Sequence, residues 1–220
     1  MPSRCLIAFL ALFGAAPAVT ACETALILSI DVSGSIDEGE YRLQADGIAT
    51  ALSDPVVAEA LVRGKVALTV LQWSNAEQQA ASLPWRRMLS QEDVAGFVAS
   101  AAAMPRAFEG SDTAPGDMLQ FASELFSDVS DCRRRVIDVS GDGQQNTGSS
   151  TAQARMALHR SGIIINGIAI EDMGASLAIT EYYRRFVITP GGFVMTARGL
   201  SDYAETLRAK LVRELARPIG

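Results

Sequence analysis

Apolar residues in this chain fall into two alternating rhythms. Residues 25–30, Ala-Leu-Ile-Leu-Ser-Ile, form a short and nearly continuous apolar run that ends at Asp31, as in a strand covered on both faces. Tyr41, Ala45, Ile48 and Leu52 then recur at helical spacing, and Asp37 with Glu40 makes a capping-box pattern ahead of them. Residues 65–73, rich in Val, Leu and Thr, read as a second strand. Residues 80–88 read as a third, weaker one, which Pro84 confines to an edge because it lacks an N–H. Val94, Phe97 and Val98 predict a short helix ending before Pro105. Met118, Ala122, Leu125 and Phe126 predict another, with Pro115 in its first turn, where the missing N–H costs little. Residues 136–140 form a strand, and residues 149–161 a helix stopped at Gly162. Ile163–Ile170 is the clearest buried strand of the chain. Ile179, Tyr182, Tyr183 and Phe186 outline a further helix, and residues 192–196 a last short strand. Asp202 and Glu205 then stand as caps of a terminal helix carrying Tyr203, Leu207 and Leu211.

Strands alternating with helices predict an α/β fold: a single doubly wound, Rossmann-like, mostly parallel sheet with helices on both faces. No internal repeat, low-complexity block or linker divides it. At 220 residues the chain is long enough to bury one sizeable core.

The first 21 residues stand apart from this pattern. A cationic start at residues 1–4, an apolar run over residues 6–13 and the small residues Val19-Thr20-Ala21 make the three-part pattern of a secretory signal peptide. The expectation is a signal segment over residues 1–21 and one domain over residues 22–220. That domain is soluble after export, periplasmic or secreted, and has no membrane span. Of the three cysteines, Cys5 leaves with the signal, so Cys22 and Cys132 remain. Two cysteines in an oxidising compartment point to a disulfide. Val19-Thr20-Ala21-Cys22 is also compatible with a lipoprotein processing site that would acylate Cys22, although the first strand then begins with almost no tether.

Composition narrows the partners. The net charge of -6 weighs against nucleic acid, which calls for clustered Lys and Arg. The one dense basic run, residues 133–135, precedes an apolar strand and reads as a solvated strand entrance.

Candidate chemistry collects where strands end. Asp31-Val32-Ser33-Gly34-Ser35 follows the first strand, and Gly34 permits a turn that brings both hydroxyls back beside the carboxylate. Gly110-Ser111-Asp112-Thr113 lies just ahead of a helix, and Ser140-Gly141-Asp142-Gly143 follows a strand. In open α/β sheets ligands gather at the carboxyl ends of strands, where strand order reverses. All three segments offer hard oxygen donors and no His or Cys, a set that suits magnesium in near-octahedral geometry.

With these residues in place, the sequence resembles the von Willebrand factor type A family, whose metal-ion-dependent adhesion site carries an Asp-x-Ser-x-Ser motif, a separate Thr and a later Asp. Asp31, Ser33 and Ser35 match the first motif in full, Thr113 the Thr and Asp142 the last Asp. Pro115 and Met118 depart from the small residues usual near the Thr. The resemblance covers nearly all of residues 23–215 and is similar in kind to a group of bacterial exported proteins of this fold. It implies a bound Mg2+, with Mn2+ or Ca2+ as alternatives, held by Asp31, Ser33, Ser35, Thr113 and Asp142. It further implies an open position on the ion that takes an Asp or Glu of a partner protein. It also implies that the first and fourth strands are parallel neighbours, which carries Cys22 and Cys132 to the same sheet edge and favours the bridge over the lipid.

Plainer readings stand beside these. Ser35, Asp37 and Thr113 could each cap a helix, and Asp142 among glycines could be a turn residue. His159, the single histidine, reads as a surface or packing residue of a helix, and Trp73 and Trp85 as core or edge packing. Burial is the reading for the tyrosines of the fifth helix. Glu171 and Asp172 read as a solvated loop, with tuning of the site's charge as the alternative, and Arg208, Lys210, Arg213 and Arg217 read equally as a docking face or a solvated helix face. A metal-dependent hydrolase using the same oxygens is the alternative function, and a structural domain with an empty site a third. The sequence has no Gly-x-Ser-x-Gly elbow, zinc-type His pair or phosphate-binding Gly-Lys loop, and no general base near Ser33 and Ser35, so an enzyme is not expected.

Overall fold

The computed structural model describes residues 22–109, 112–171 and 178–216. Residues 1–21, read above as a signal segment, lie outside the described residues, as do Gly110, Ser111, Asp172 and Arg217.

Six strands make one sheet in the order β3-β2-β1-β4-β5-β6. They are β1 (Thr24–Asp31), β2 (Ala67–Trp73), β3 (Gln79–Arg87), β4 (Arg134–Gly141), β5 (Ile163–Ile170) and β6 (Val194–Ala197). Every neighbouring pair is parallel except β2 with β3, which run antiparallel. The chain thus winds outward from β1 in one direction and, after β4, in the other. The reversal falls between the carboxyl ends of β1 and β4.

The helices are α1 (Glu38–Ser53), α2 (Pro55–Arg63), α3 (Gln91–Ala102), α4 (Pro115–Leu125), α5 (Thr151–Arg160), α6 (Ile179–Tyr182) and α7 (Tyr203–Leu215). Successive strand residues face opposite ways, so β1 sends Leu26, Leu28 and Ile30 into a core with α1, α2, α3 and α7. Ala25 and Ile27 enter a second core with α4, α5 and α6. This double coverage explains the continuous apolar runs, since each fully buried Leu or Ile contributes about 1.5–3 kcal/mol. The capping box forms as read: Asp37 Oδ1 accepts from the Glu40 N–H, and Glu40 Oε2 from the Asp37 N–H, each at 2.8 Å.

The structure corrects several readings. Helix α2 was not anticipated, although Asp54 caps it, Pro55 opens it and Gly64 ends it. Lys65 belongs to the turn after it, with φ +46°, so β2 begins at Ala67. The segment from Ile179 keeps only four α-helical residues before widening into a π-turn over Tyr183–Val187. There Tyr183 is buried, whereas Phe186 is 42% exposed. The last strand is Val194–Ala197, two residues later than read at its start. Asp202 makes no side-chain cap and instead accepts from the Arg198 N–H and the Thr206 hydroxyl, while Glu205 pairs with Arg208.

The face of α7 read as solvated is the largest correction. Lys210 is fully buried, its Nζ 2.5 Å from Asp138 of β4 and 3.0 Å from Glu214. Burial opposes its charge, but the two carboxylates outweigh it and hold the ammonium above the usual lysine range. Glu214 also accepts from the Asn166 amide of β5, and the Phe193 ring lies 5.2 Å from Nζ. Residues 203, 207, 210, 211 and 214 share the inward stripe of α7, so position rather than polarity buries Lys210. Arg213 stacks over Phe193 at 3.9 Å. Glu171 is likewise engaged, accepting from the Thr180 N–H at the start of α6.

At the opposite end of the sheet Cys22 and Cys132 form a disulfide, with S–S 2.01 Å and Cα–Cα 4.5 Å. The register explains it: Thr24 of β1 pairs with Arg134 of β4, so each cysteine sits two residues before its paired partner. A sulfur so engaged cannot carry a lipid, which settles the cysteine alternatives for the bridge. A disulfide of this kind belongs to an exported protein in an oxidising compartment. Among the described residues no helix is long and apolar enough to cross a membrane.

Candidate metal centre

Strand register brings the site together. Ile30 of β1 pairs with Ser140 of β4, which sets Asp31 level with Gly141 and one residue short of Asp142. A Cβ at Gly141 would come within 2.8 Å of both Asp31 Oδ2 and the Tyr183 hydroxyl, so only glycine lets β4 pass here. The Asp31 carbonyl accepts from the Gln44 amide of α1, and the Val32 N–H donates to the Trp73 carbonyl at 2.9 Å, carrying the chain over the sheet edge.

The loop after β1 is held from outside itself. The Arg106 guanidinium donates to the carbonyls of Val32, Ser33 and Ile36 at 2.7 to 3.2 Å. Thr113 is fixed by reciprocal bonds to one residue: its N–H donates to Asn146 Oδ1 at 2.8 Å, and the Asn146 N–H donates to its carbonyl at 3.1 Å. Ser74, after β2, accepts from the Ala114 N–H and donates its hydroxyl to the Asp112 carbonyl. The loop after β4 is ordered by Gln145, whose amide donates to the carbonyls of Thr147, Gly148 and Ser149, and by Asp117, which accepts from the Ser149 N–H and hydroxyl.

All five candidate side chains converge. Asp31 Oδ1 accepts from the Ser33 N–H at 2.8 Å. The Thr113 hydroxyl donates to Ser33 Oγ at 3.2 Å, the two serine oxygens lie 3.4 Å apart, and Ser35 donates to Asp142 Oδ1 at 2.7 Å. The cap readings of Thr113 and Ser35 are displaced, while that of Asp37 holds: Thr113 precedes a helix whose N-cap, Ala114, makes no side-chain bond, and Ser35 turns toward Asp142, leaving the capping of α1 to Asp37.

Asp31 and Ser33 are fully buried, Thr113 nearly so, and Ser35 faces solvent. Asp31 Oδ2 is buried without a hydrogen-bond partner. Burial pushes this carboxyl up to about 7, against the lowering effect of the Ser33 hydrogen bonds. Oδ2 lies on the Gly141 and Tyr183 side of the carboxylate. A buried carboxylate with one unpaired oxygen, whose other oxygen joins it to the loop that carries the serine hydroxyls, fits a divalent cation whose charge would answer its own. Among the described residues no group of three or more His, Cys, Asp and Glu could hold a metal, so hydroxyls must complete any donor set here.

Sequence reasoning missed Arg106, Asn146, Ser74 and Gln44, which act through backbone groups and stand in no pattern that marks them, and it read Tyr183 as buried without placing it beside Asp31. His159 is half-buried on α5, Trp73 is buried, and Trp85 donates its indole N–H to the Leu125 carbonyl.

This strand order and covering of helices define a von Willebrand factor type A fold. The chain resembles proximal thread matrix protein 1 from the mussel byssus (TM-score 0.66, 21% identity, 89% of this chain and 48% of that one), a protein also solved with a zinc-occupied MIDAS motif. It resembles a von Willebrand factor type A protein from Catenulispora acidiphila (0.65, 18%, 91% and 44%) and the pilus adhesin SpaC from Lactobacillus rhamnosus GG in its open conformation (0.63, 13%, 88% and 30%). The chain spans less than half the length of each. No curated protein matches it. By sequence the chain belongs to the family described as protein of unknown function (DUF1194), whose model matches residues 21–219.

Proposed function

We propose that Asp31, Ser33, Ser35, Thr113 and Asp142 hold one divalent cation, Mg2+ in the first instance with Mn2+ or Ca2+ as alternatives, and that the domain is an adhesion-type binding module. The ion's remaining position takes an Asp or Glu of a partner protein. The observation that carries this reading is Asp31, a fully buried carboxylate whose Oδ2 has no hydrogen-bond partner, heading a loop whose Ser33 and Ser35 hydroxyls join that of Thr113 and the carboxylate of Asp142. The fold neighbours support it, since one has a zinc-occupied MIDAS motif and another is a pilus adhesin. A non-enzymatic role agrees with the matrix and adhesin names of those neighbours. Export by a signal segment over residues 1–21 leaves a domain of residues 22–220, periplasmic or secreted.

Calorimetric titration with MgCl2 and MnCl2 tests the site. Wild type takes up one ion and Asp31→Ala takes up none. Passing an exported-protein extract over the immobilised domain, with magnesium and then with chelator, tests the module: a partner is retained only by wild type with metal. Equal retention in all lanes removes the cation from the mechanism. Turnover of ester or phosphate substrates by wild type alone would favour the hydrolase.

A further inference from the structure

The loops at the site edge carry a one-sided charge. Four segments meet there: residues 32–38 after β1, 74–78 after β2, the described residues 105–109 and 112–114 before α4, and 141–150 after β4. The hydrogen bonds already described join the second to the third through Ser74, the third to the first through Thr113 and Arg106, and the first to the fourth through Ser35. Among their described residues, Asp37, Glu38, Glu77, Glu109 and Asp112 are all exposed carboxylates. The only cationic side chain is Arg106, and its guanidinium is engaged with three backbone carbonyls. Basic residues gather at the other edge of the sheet, where Lys65 precedes β2, Arg133 precedes β4 and Arg87 ends β3.

A cation held at the site would be balanced by the carboxylates of Asp31 and Asp142. The five exposed carboxylates would remain uncompensated around the place where a partner's acidic group must enter. Asp31, fully buried with its Oδ2 unpartnered, marks the cation's own site independently of the surrounding charge. A second carboxylate on the partner would meet repulsion from these four segments, whereas Lys or Arg beside the first would find several partners within a Debye length. On the α6 side the exposed Arg184 and Arg185 pair with Glu181.

We infer that the partner segment is a single Asp or Glu flanked by basic side chains, so that the cation selects the carboxylate and the carboxylate collar selects its neighbours. This rests on the metal-dependent reading above and adds the partner's charge pattern to it.

Three synthetic peptides with one central Asp, flanked by Lys and Arg, by Ser and Gly, or by Glu, provide the test. NMR shift titration of the labelled domain reads dissociation constants into the millimolar range, with magnesium or chelator and at low or high salt. With magnesium at low salt, the basic-flanked peptide binds about tenfold more tightly than the Glu-flanked one, and added salt narrows the gap. The combined variant Glu38→Gln, Glu77→Gln, Glu109→Gln and Asp112→Asn keeps magnesium-dependent binding and loses the preference. Equal magnesium-dependent binding of all three peptides overturns this inference and leaves the metal reading intact. No magnesium-dependent binding of any peptide overturns both. A collar that serves only to draw in the ion would weaken magnesium uptake in the variant while the wild-type peptide series stayed flat, which also overturns the inference.

Discussion

Asp31 and Asp138 lie on neighbouring strands, both shut away from water, and they keep different company. Burial pushes both carboxyls up to about 7. Asp138 on β4, although its Oδ1 also lacks a hydrogen-bond partner, has the Lys210 ammonium against Oδ2, and that lysine pairs with Glu214 as well. Asp31 at the end of β1 has the Ser33 N–H on one oxygen and no hydrogen-bond partner on the other. Placing a carboxylate in a poorly solvated site costs several kcal/mol unless a cation answers it. The protein supplies that cation internally at α7; at the sheet's upper edge, on the proposed reading, it comes from solution. One aspartate then belongs to the scaffold and the other to the binding site, and the difference lies in who neutralises the charge.

Three substitutions would break or sharpen that contrast. Lys210→Met leaves two buried carboxylates unanswered and should cost about 3–5 kcal/mol in urea unfolding; a loss below about 1 kcal/mol would mean that the α7 cluster does not depend on its lysine. Asp31→Asn should act oppositely. Without metal it removes an unanswered charge while the amide oxygen still accepts from Ser33, so stability should rise by about 1–3 kcal/mol. Magnesium should then raise the thermal midpoint of wild type and not that of the variant, and a variant less stable than metal-free wild type would contradict the account of Asp31. Tyr203→Phe is the smallest perturbation. It deletes a hydroxyl that lies 3.1 Å from Ser140 Oγ, two residues before Asp142. A cost of about 1 kcal/mol with magnesium affinity unchanged would show that the two aspartates behave as separate systems.

The sequence carried the architecture well where periodicity was strong. The runs at residues 25–30 and Ile163–Ile170 became central strands, and Pro84 did mark an edge. The five candidate oxygens were legible because each stands in a short motif beside a strand or helix end. Helix α2 was overlooked because its nine residues follow α1 after a single intervening residue, although Asp54-Pro55 and Gly64 bracket it. Lys210 was misread because a charged residue among other charged residues looks solvated, and only the inward stripe of Leu207 and Leu211 reveals where it points. Arg106 could not be found at all: it binds backbone carbonyls that only the folded loop presents.

One of the two edge strands, β3, has a consequence for the chain's behaviour at high concentration. A bare strand margin invites copies of the same chain to add on and aggregate. On β3, Pro84 removes one donor, Arg86 and Arg87 bring like charges together, and the pairing with β2 shifts register at Val70. Copies awaiting closure of their cystine therefore meet a margin that resists templated growth into fibrils.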